Sequence, residues 1–200
     1  MSELFIEMRR KFFHMTWGIL LAVLLWYGVA DWRLFGILLL LDIGIILSYA
    51  LTRKRKRPAF AIFFDSCERP QFKKHLLPGM SSLYYHLSFF ILAAFFPMVA
   101  AVAGIIVLSV GDSVSLWYGV FLGKVPVPWN KKKDLDARFV AALLCTLILL
   151  PIVPWWQGFL ASAIGMLVES FDYKKGRILL DDNFLVPLSA GVVIWMLQLI

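Results

Sequence analysis

Thirty consecutive residues, 139–168, carry no Asp, Glu, Lys or Arg, and the 48 residues 76–123 carry a single one, Asp112. Runs of this kind leave a chain few ways to hide its apolar surface from water. The 200 residues are 61% hydrophobic and 16% charged, with a mean hydropathy of +0.80. An ordinary soluble domain is about half apolar and about a quarter charged. The balance excludes ordinary soluble folds, and the expected class is all-α: a polytopic transmembrane helical bundle.

A hydrocarbon core about 30 Å thick needs roughly 20 apolar residues per helix. Residues 12–30 and 32–51 are the clearest spans, separated by the Asp31 turn. Stretch 76–123 is too long for one crossing, and Pro97 supplies a break, giving a third span ending near Phe96 and a fourth from Met98 to about Phe121. In 139–168, Pro151 and Pro154 stand before Trp155 and Trp156, helix breakers beside aromatic residues suited to a membrane interface. Two short spans or one kinked helix both fit this stretch, and 184–200 forms the last span. The opening MSELFIEMRRKFFHM leads into an apolar run with no small-residue cleavage site after it, so the first stretch is expected to be retained and not removed as a signal. Cys67 lies in a basic loop and Cys145 in an apolar run, which implies neither a disulfide nor a thiolate metal site.

Positive charge decides between the counts. With seven spans, one side receives Arg9, Arg10 and Lys11, the basic block 53–57 with Arg69, Lys73 and Lys74, then Lys124, Lys131, Lys132, Lys133 and Arg138, and finally Lys174, Lys175 and Arg177. Those are nineteen of the 20 Lys and Arg, with Arg33 alone opposite. One kinked helix over 139–168 would move three of them outside. The positive-inside rule then puts the N-terminus in the cytoplasm and the C-terminus outside. No repeat or linker divides residues 1–200, so a single domain is expected, with inner loops at about 52–80 and 124–138. The apolar segment 59–64 in the first loop is too short to cross and suits the headgroup layer.

An ionisable side chain at mid-helix in a membrane costs about 2.5 to 3.5 kcal/mol on insertion scales, so Asp112 asks for a reason. On a helix Asp112, Ser115, Gly119 and Gly123 share one face, with Lys124 at its inner mouth. Such a face lets a phosphate or another backbone approach closely while Asp112 holds magnesium; the alternative is a packing face bonded to a neighbouring helix. GVFLGKV is not a Walker loop, because three residues separate its glycines, neither Ser nor Thr follows Lys124, and no strand is expected before it. Lys131, Lys132 and Lys133, with Asp134 and Asp136, follow the Asp112 helix closely enough to fold back over its mouth, or they form a solvated loop that sets topology. Glu7, Arg10, Lys11 and His14 share a helical face at the inner boundary, as chemistry or as a snorkelling anchor. Glu169 closes the sixth span while Asp181, Asp182 and Asn183 open the seventh, a pattern that fits ordinary capping and also magnesium with polyphosphate. Asp42 reads equally as a buried hydrogen bond or a role, and His86 as an interhelical bond.

The fragments RRKFFH (9–14), ER at Glu68 and Arg69, LPG (77–79), GDSVSLWYGVFLGK (111–124), KKDLDA (132–137) and DDNFLVP (181–187) run in that order along nearly the whole chain. Together they resemble the CTP-dependent lipid alcohol kinases, the family that includes dolichol kinase, phytol kinase and the fungal-type diacylglycerol kinase. Residues 111–124 are similar to its most specific element, a GDS.A...G...G pattern assigned to nucleotide binding, with Ser115 in the alanine place. Lys133 and Asp136 match the K(S/T).EG element with Ala137 for its glycine, and Met80 and Ser81 stand where Lys-Gly is common.

The resemblance implies a kinase that moves the terminal phosphoryl group of CTP, with Mg²⁺, onto a membrane lipid alcohol. A polyprenol or dolichol-type acceptor is favoured over diacylglycerol, and nucleic acid is not an expected partner. It implies catalytic roles for Asp112, Asp182, Glu169 and His14, and metal binding by Asp112, Asp181, Asp182 and Asn183. Nucleotide binding falls to Gly111, Asp112, Ser113, Ser115, Gly119, Gly123, Lys124, Lys132, Lys133, Asp136, Arg10 and Lys11. The physics of the substrates agrees: the lipid hydroxyl sits at the interface and the polyanionic nucleotide arrives from the cytosol, where the surplus of nineteen cations over nine loop acids attracts it. Two other readings are a cytidylyltransferase that makes a CDP-lipid, and a small transporter with a polar path through Asp42, Asp112 and Glu169. Paired repeats and broken helices in both halves, common in transporters, are not evident.

Overall fold

Helices occupy the apolar runs, and prolines and glycines mark where they stop. The computed structural model describes residues 3–52, 79–171 and 181–200. The basic block 53–57, the segment 59–64, Glu68, Arg69, Lys73, Lys74, Lys174, Lys175 and Arg177 lie outside the described residues. The helices are α1 (Glu3–Trp26), α2 (Trp32–Thr52), α3 (Met80–Phe95), α4 (Met98–Leu122), α5 (Leu135–Leu149), α6 (Trp155–Ser170) and α7 (Asp182–Leu197). Pro97 precedes α4 and Pro154 precedes α6, each in extended conformation with its ring unable to continue the previous helix. Residues 139–168 are therefore two helices and not one kinked helix. The α1–α2 turn contains Gly28 at φ 68, where a side chain would be strained. Helix α1 begins nine residues before the apolar run at 12–30, because Glu, Met, Arg and Lys favour helix as readily as apolar residues do.

Within the expected loop 124–138 a small antiparallel hairpin forms, β1 (Pro126–Val127) against β2 (Asn130–Asp134), with Val127 opposite Asn130. The polar run NKKKD has no apolar alternation to announce a strand, and the bundle is otherwise all-α among the described residues.

Helix α4 is the centre of the bundle, with α1, α3, α5, α6 and α7 packed around it and every residue from 100 to 113 buried. The largest buried side chains around it include Phe89, Leu92, Leu149, Met166 and Ile194. A Cβ on Gly18 of α1 would fall 1.8 Å from Ser109 Oγ and 2.4 Å from the Tyr85 hydroxyl, so only glycine lets α1 lie this close to α4. Midway along α4, Val107–Gly111 forms a wider π turn. Such turns add one residue to a helix and recur at functional sites; here regular α-helix resumes at Asp112.

Helix α4 is long and apolar enough to cross a membrane, and it is the one such helix among the described residues; the apolar α3 and α7 are shorter. Asp42 and His86 join α2 to α3: His86 Nδ1 lies 2.6 Å from Asp42 Oδ2, Ser82 donates to both Asp42 oxygens, and Trp17 of α1 donates to His86 Nε2 at 3.1 Å. These two residues form the interhelical bond the sequence allowed.

Candidate active site

Three acids from three helices meet at one point. Asp112 stands immediately after the wide turn of α4, Glu169 near the C-terminal end of α6, and Asp182 at the first residue of α7; each offers an oxygen, and these all lie within 4.8 Å of one another. Like charges so close repel unless cations accompany them. The Lys11 ammonium of α1 donates to Asp112 Oδ2, both residues being buried. His14, one turn further on, places Nε2 3.8 Å from the same oxygen, buried and without a hydrogen-bond partner. Its ring rests on Tyr85 at 4.3 Å between centroids, and the Tyr85 hydroxyl donates to the His14 carbonyl. Ser113 ties the two helices where they cross, its hydroxyl within bonding distance of the Lys11 and Ser109 carbonyls.

Glu169 is held from the other side. Lys133 of β2 donates to its carbonyl and, at 2.9 Å, to Oε1. Arg138 of α5 donates from Nη2 to Oε1 at 3.1 Å, has Nε 2.9 Å from Oε2, and reaches the Asp134 carbonyl through Nη1. In the sequence, Arg138 stands out only as one of the inner-side cations. The signal that could have found it is weak, since an arginine one turn inside an apolar helix can also snorkel to the interface. Among the described residues Lys11 thus pairs with Asp112, and Lys133 and Arg138 both pair with Glu169.

The hairpin is fastened to the end of α6. Trp129 Nε1 donates to Ser170 Oγ at 3.0 Å and its ring stacks on Phe171, while Asn130 Nδ2 donates to the Ser170 carbonyl. Lys133 and Asn130 therefore occupy helix-end carbonyls, where positive charge and N–H donors are favoured.

Other expected site residues do different work. Gly119 and Gly123 make room for Asp134, whose Oδ2 would lie 3.0 and 2.6 Å from a Cβ at those positions. Gly111 faces Met166, at 2.5 Å from a Cβ, and Ser115 bonds its own helix at the Asp112 carbonyl. The Lys124 side chain is exposed, and its backbone N–H donates to Asp136 Oδ2; the chain turns outward at Gly123, and Lys133 takes the inward position expected of Lys124. Desolvation raises the Asp136 pKa, but the N–H groups of Lys124, Ala137 and Val125 together outweigh it and hold the carboxyl below the ordinary aspartate value. Lys132 is exposed, with its backbone N–H on Asn130 Oδ1. Arg10 forks onto Glu7 at 2.7 and 3.2 Å. Asp181 caps α7 by accepting from the Asn183 N–H. Asn183 donates through Nδ2 to the Ser81 carbonyl, and its own carbonyl accepts from Ser88.

The donors at the acidic cluster are all carboxylate oxygens, the set that hard divalent cations prefer over nitrogen and sulfur. Mg²⁺ in phosphoryl-transfer sites takes one or two carboxylates and completes its shell with water and phosphate, so Asp112 and Asp182 fit it while Glu169 keeps its two cations. The chain matches no family model, no curated protein and no solved structure.

Proposed function

We propose that this protein is a multi-pass membrane kinase that transfers the terminal phosphoryl group of CTP to the hydroxyl of a lipid alcohol, of polyprenol or dolichol type, at the cytoplasmic interface. The observation that carries the reading is the meeting of Asp112, Glu169 and Asp182 with Lys11, His14, Lys133 and Arg138, residues drawn from five helices and a hairpin. Phosphoryl transfer asks a protein mainly for alignment and charge stabilisation, and this set contains the groups for both. The choice of CTP rests on the likeness of residues 111–124 to the nucleotide element of the lipid alcohol kinases.

A membrane setting is supported by where the apolar side chains point. Phe13, Leu40, Leu47, Leu147 and Met196 are exposed on four different helices, while Lys11, Asp112, Arg138 and Glu169 are buried. A water-soluble bundle has the opposite pattern. Sixteen-residue helices such as α3, α6 and α7 reach about 24 Å at 1.5 Å per residue, short of a 30 Å core, and flanking residues or local thinning accommodates the difference.

Mg²⁺ held by Asp112 and Asp182 would neutralise charge on the phosphate oxygens. Lys133 and Arg138, gathered on Glu169, keep two positive charges beside whatever those acids hold. Glu169, held by Lys133 and Arg138, acts as a positioning residue, with Asp112 and Asp182 orienting the acceptor hydroxyl. His14 Nε2 lies at the same place, buried and without a hydrogen-bond partner. As the hydroxyl oxygen bonds to the terminal phosphorus, its proton passes to a carboxylate, the bridging P–O bond breaks, and CDP leaves with the electron pair.

Purified protein with Mg²⁺, a prenol and CTP labelled on the terminal phosphate should yield a labelled lipid phosphate. Asp112→Asn should lower turnover by about 10²–10³-fold, equivalent to about 3–4 kcal/mol of barrier. Label appearing in lipid only when carried on cytidine would instead mean a CDP-lipid product. Full turnover by Asp112→Asn would refute the assignment.

A further inference from the structure

An apolar groove of about 440 Å³ runs between α5 and α6 beside the charged cluster, with Phe139, Ala142, Phe159, Ala163, Met166 and Leu167 among its walls. That volume lies within the range of small-molecule binding sites, about 300–1,000 Å³. We propose that this groove holds the hydrocarbon of the lipid alcohol next to its hydroxyl, a deeper statement of the kinase reading on which it rests.

Three observations select this occupant. First, the few polar residues at the groove are already committed: Asp136 to backbone N–H groups, Arg138 to Glu169 and the Asp134 carbonyl, and Ser170 to the Leu167 carbonyl and Trp129. A nucleobase placed here would lose its hydrogen bonds to water without replacement, a penalty of about 1–3 kcal/mol per group, whereas a hydrocarbon loses none. Second, the groove opens sideways through exposed apolar side chains, Phe139 at 57% and Leu167 at 48%, so a chain dissolved in the bilayer enters without crossing water. Third, the groove and the cluster share a wall. Arg138 lines the groove and bonds Glu169, and Ser170, the next residue, lines it too. A tail lying along Phe139 and Phe159 therefore ends with its polar head at the Glu169–Arg138 pair, whose acid lies within 4.8 Å of Asp112 and Asp182.

The floor is made of small residues, Ala142 and Ala163, and filling it is the direct perturbation. The full chain in lipid nanodiscs is irradiated with a diazirine-bearing prenol, and the adducts are mapped by mass spectrometry with and without excess unlabelled prenol. Adducts should fall within residues 135–142 and 159–170 and disappear with competitor. Ala163→Phe should cut this labelling at least tenfold and raise the KM for long prenols by a similar factor, with the KM for CTP within twofold of the parent; Ala163→Leu should give a smaller change in the same direction. Adducts elsewhere, unchanged labelling in a folded Ala163→Phe, or a photoreactive cytidine nucleotide captured in the groove would each overturn the proposal. Competed labelling of the groove without any lipid phosphorylation would sink the kinase reading and leave the groove assignment standing. Lipid phosphorylation with adducts elsewhere would do the reverse.

Discussion

Replacing Lys11 by methionine keeps the stem of the side chain and removes the charge that accompanies Asp112. Both residues are nearly inaccessible, at 3% and 4%, and the acid has Glu169 and Asp182 within 4.8 Å. Removing one member of a buried ion pair costs about 3–5 kcal/mol, because the other charge is left uncompensated. The two neighbouring acids place Lys11→Met toward the upper part of that range. At about 2–4 °C per kcal/mol for a chain of this size, the melting temperature should fall by about 8–20 °C. Intrinsic tryptophan fluorescence of protein in mild detergent with a chelator present reads the transition. Millimolar Mg²⁺ should recover part of the loss in Lys11→Met, since a bound cation replaces the missing charge and stabilises by mass action. The double variant Lys11→Met with Asp112→Asn removes both charges and should melt closer to the parent than Lys11→Met does, while remaining inactive. A Lys11→Met protein that melted within 2 °C of the parent would refute the account of Asp112 as a buried charge dependent on its lysine.

Arg138→Lys keeps one charge but loses the planar fork on Glu169, and kcat should drop by about 10–100-fold in a lipid kinase assay with folding unaffected by circular dichroism. Gly123→Ala places a Cβ 2.6 Å from Asp134 Oδ2, so the hairpin should shift; a changed Trp129 environment and at least tenfold weaker nucleotide binding are expected, measured by fluorescence titration. Chelation by EDTA should abolish lipid phosphate formation, and added Mg²⁺ should restore it. For Asp136 the folded-state pKa lies below the unfolded value near 4, so its contribution to stability is present above that value and fades as pH falls through the folded one. Melting curves of parent and Asp136→Asn should therefore converge at the acid end of the range and separate at neutral pH.

The helical layout was largely legible because its determinants are local. Pro97 and Pro154 end helices by removing a donor and clashing with the preceding turn, whatever surrounds them. The hairpin at 126–134 was not legible, since it exists through bonds from Trp129, Asn130 and Lys133 to the end of α6, partners more than thirty residues away. Much of the charged cluster could be named in advance: Asp112 is expensive where it sits, and Glu169, Asp182, Lys11, His14 and Lys133 stand out by their spacing and by motifs that resemble those of the lipid alcohol kinases. Which cation approaches which acid was not. Lys124 follows the Asp112 helix directly, yet the reversal of the chain after Gly123 carries Lys133 and Arg138 inward in its place. Asp181 and Asn183 read as cap or ligand; Asp181 accepts the Asn183 N–H as a cap does, while the Asn183 side chain reaches the Ser81 carbonyl of α3.

The wide turn at Val107–Gly111 divides α4 into two registers. The portion before it answers to α1, α3 and α7, and the portion after it aims the acid. One residue added to a regular α-helix would swing everything after it by about 100° of azimuth, whereas the wide turn takes up the extra residue within itself, so Asp112 keeps its heading relative to the portion before it. Slack of this kind lets the helix carry one more side chain beside the acid without unpicking the scaffold on either side.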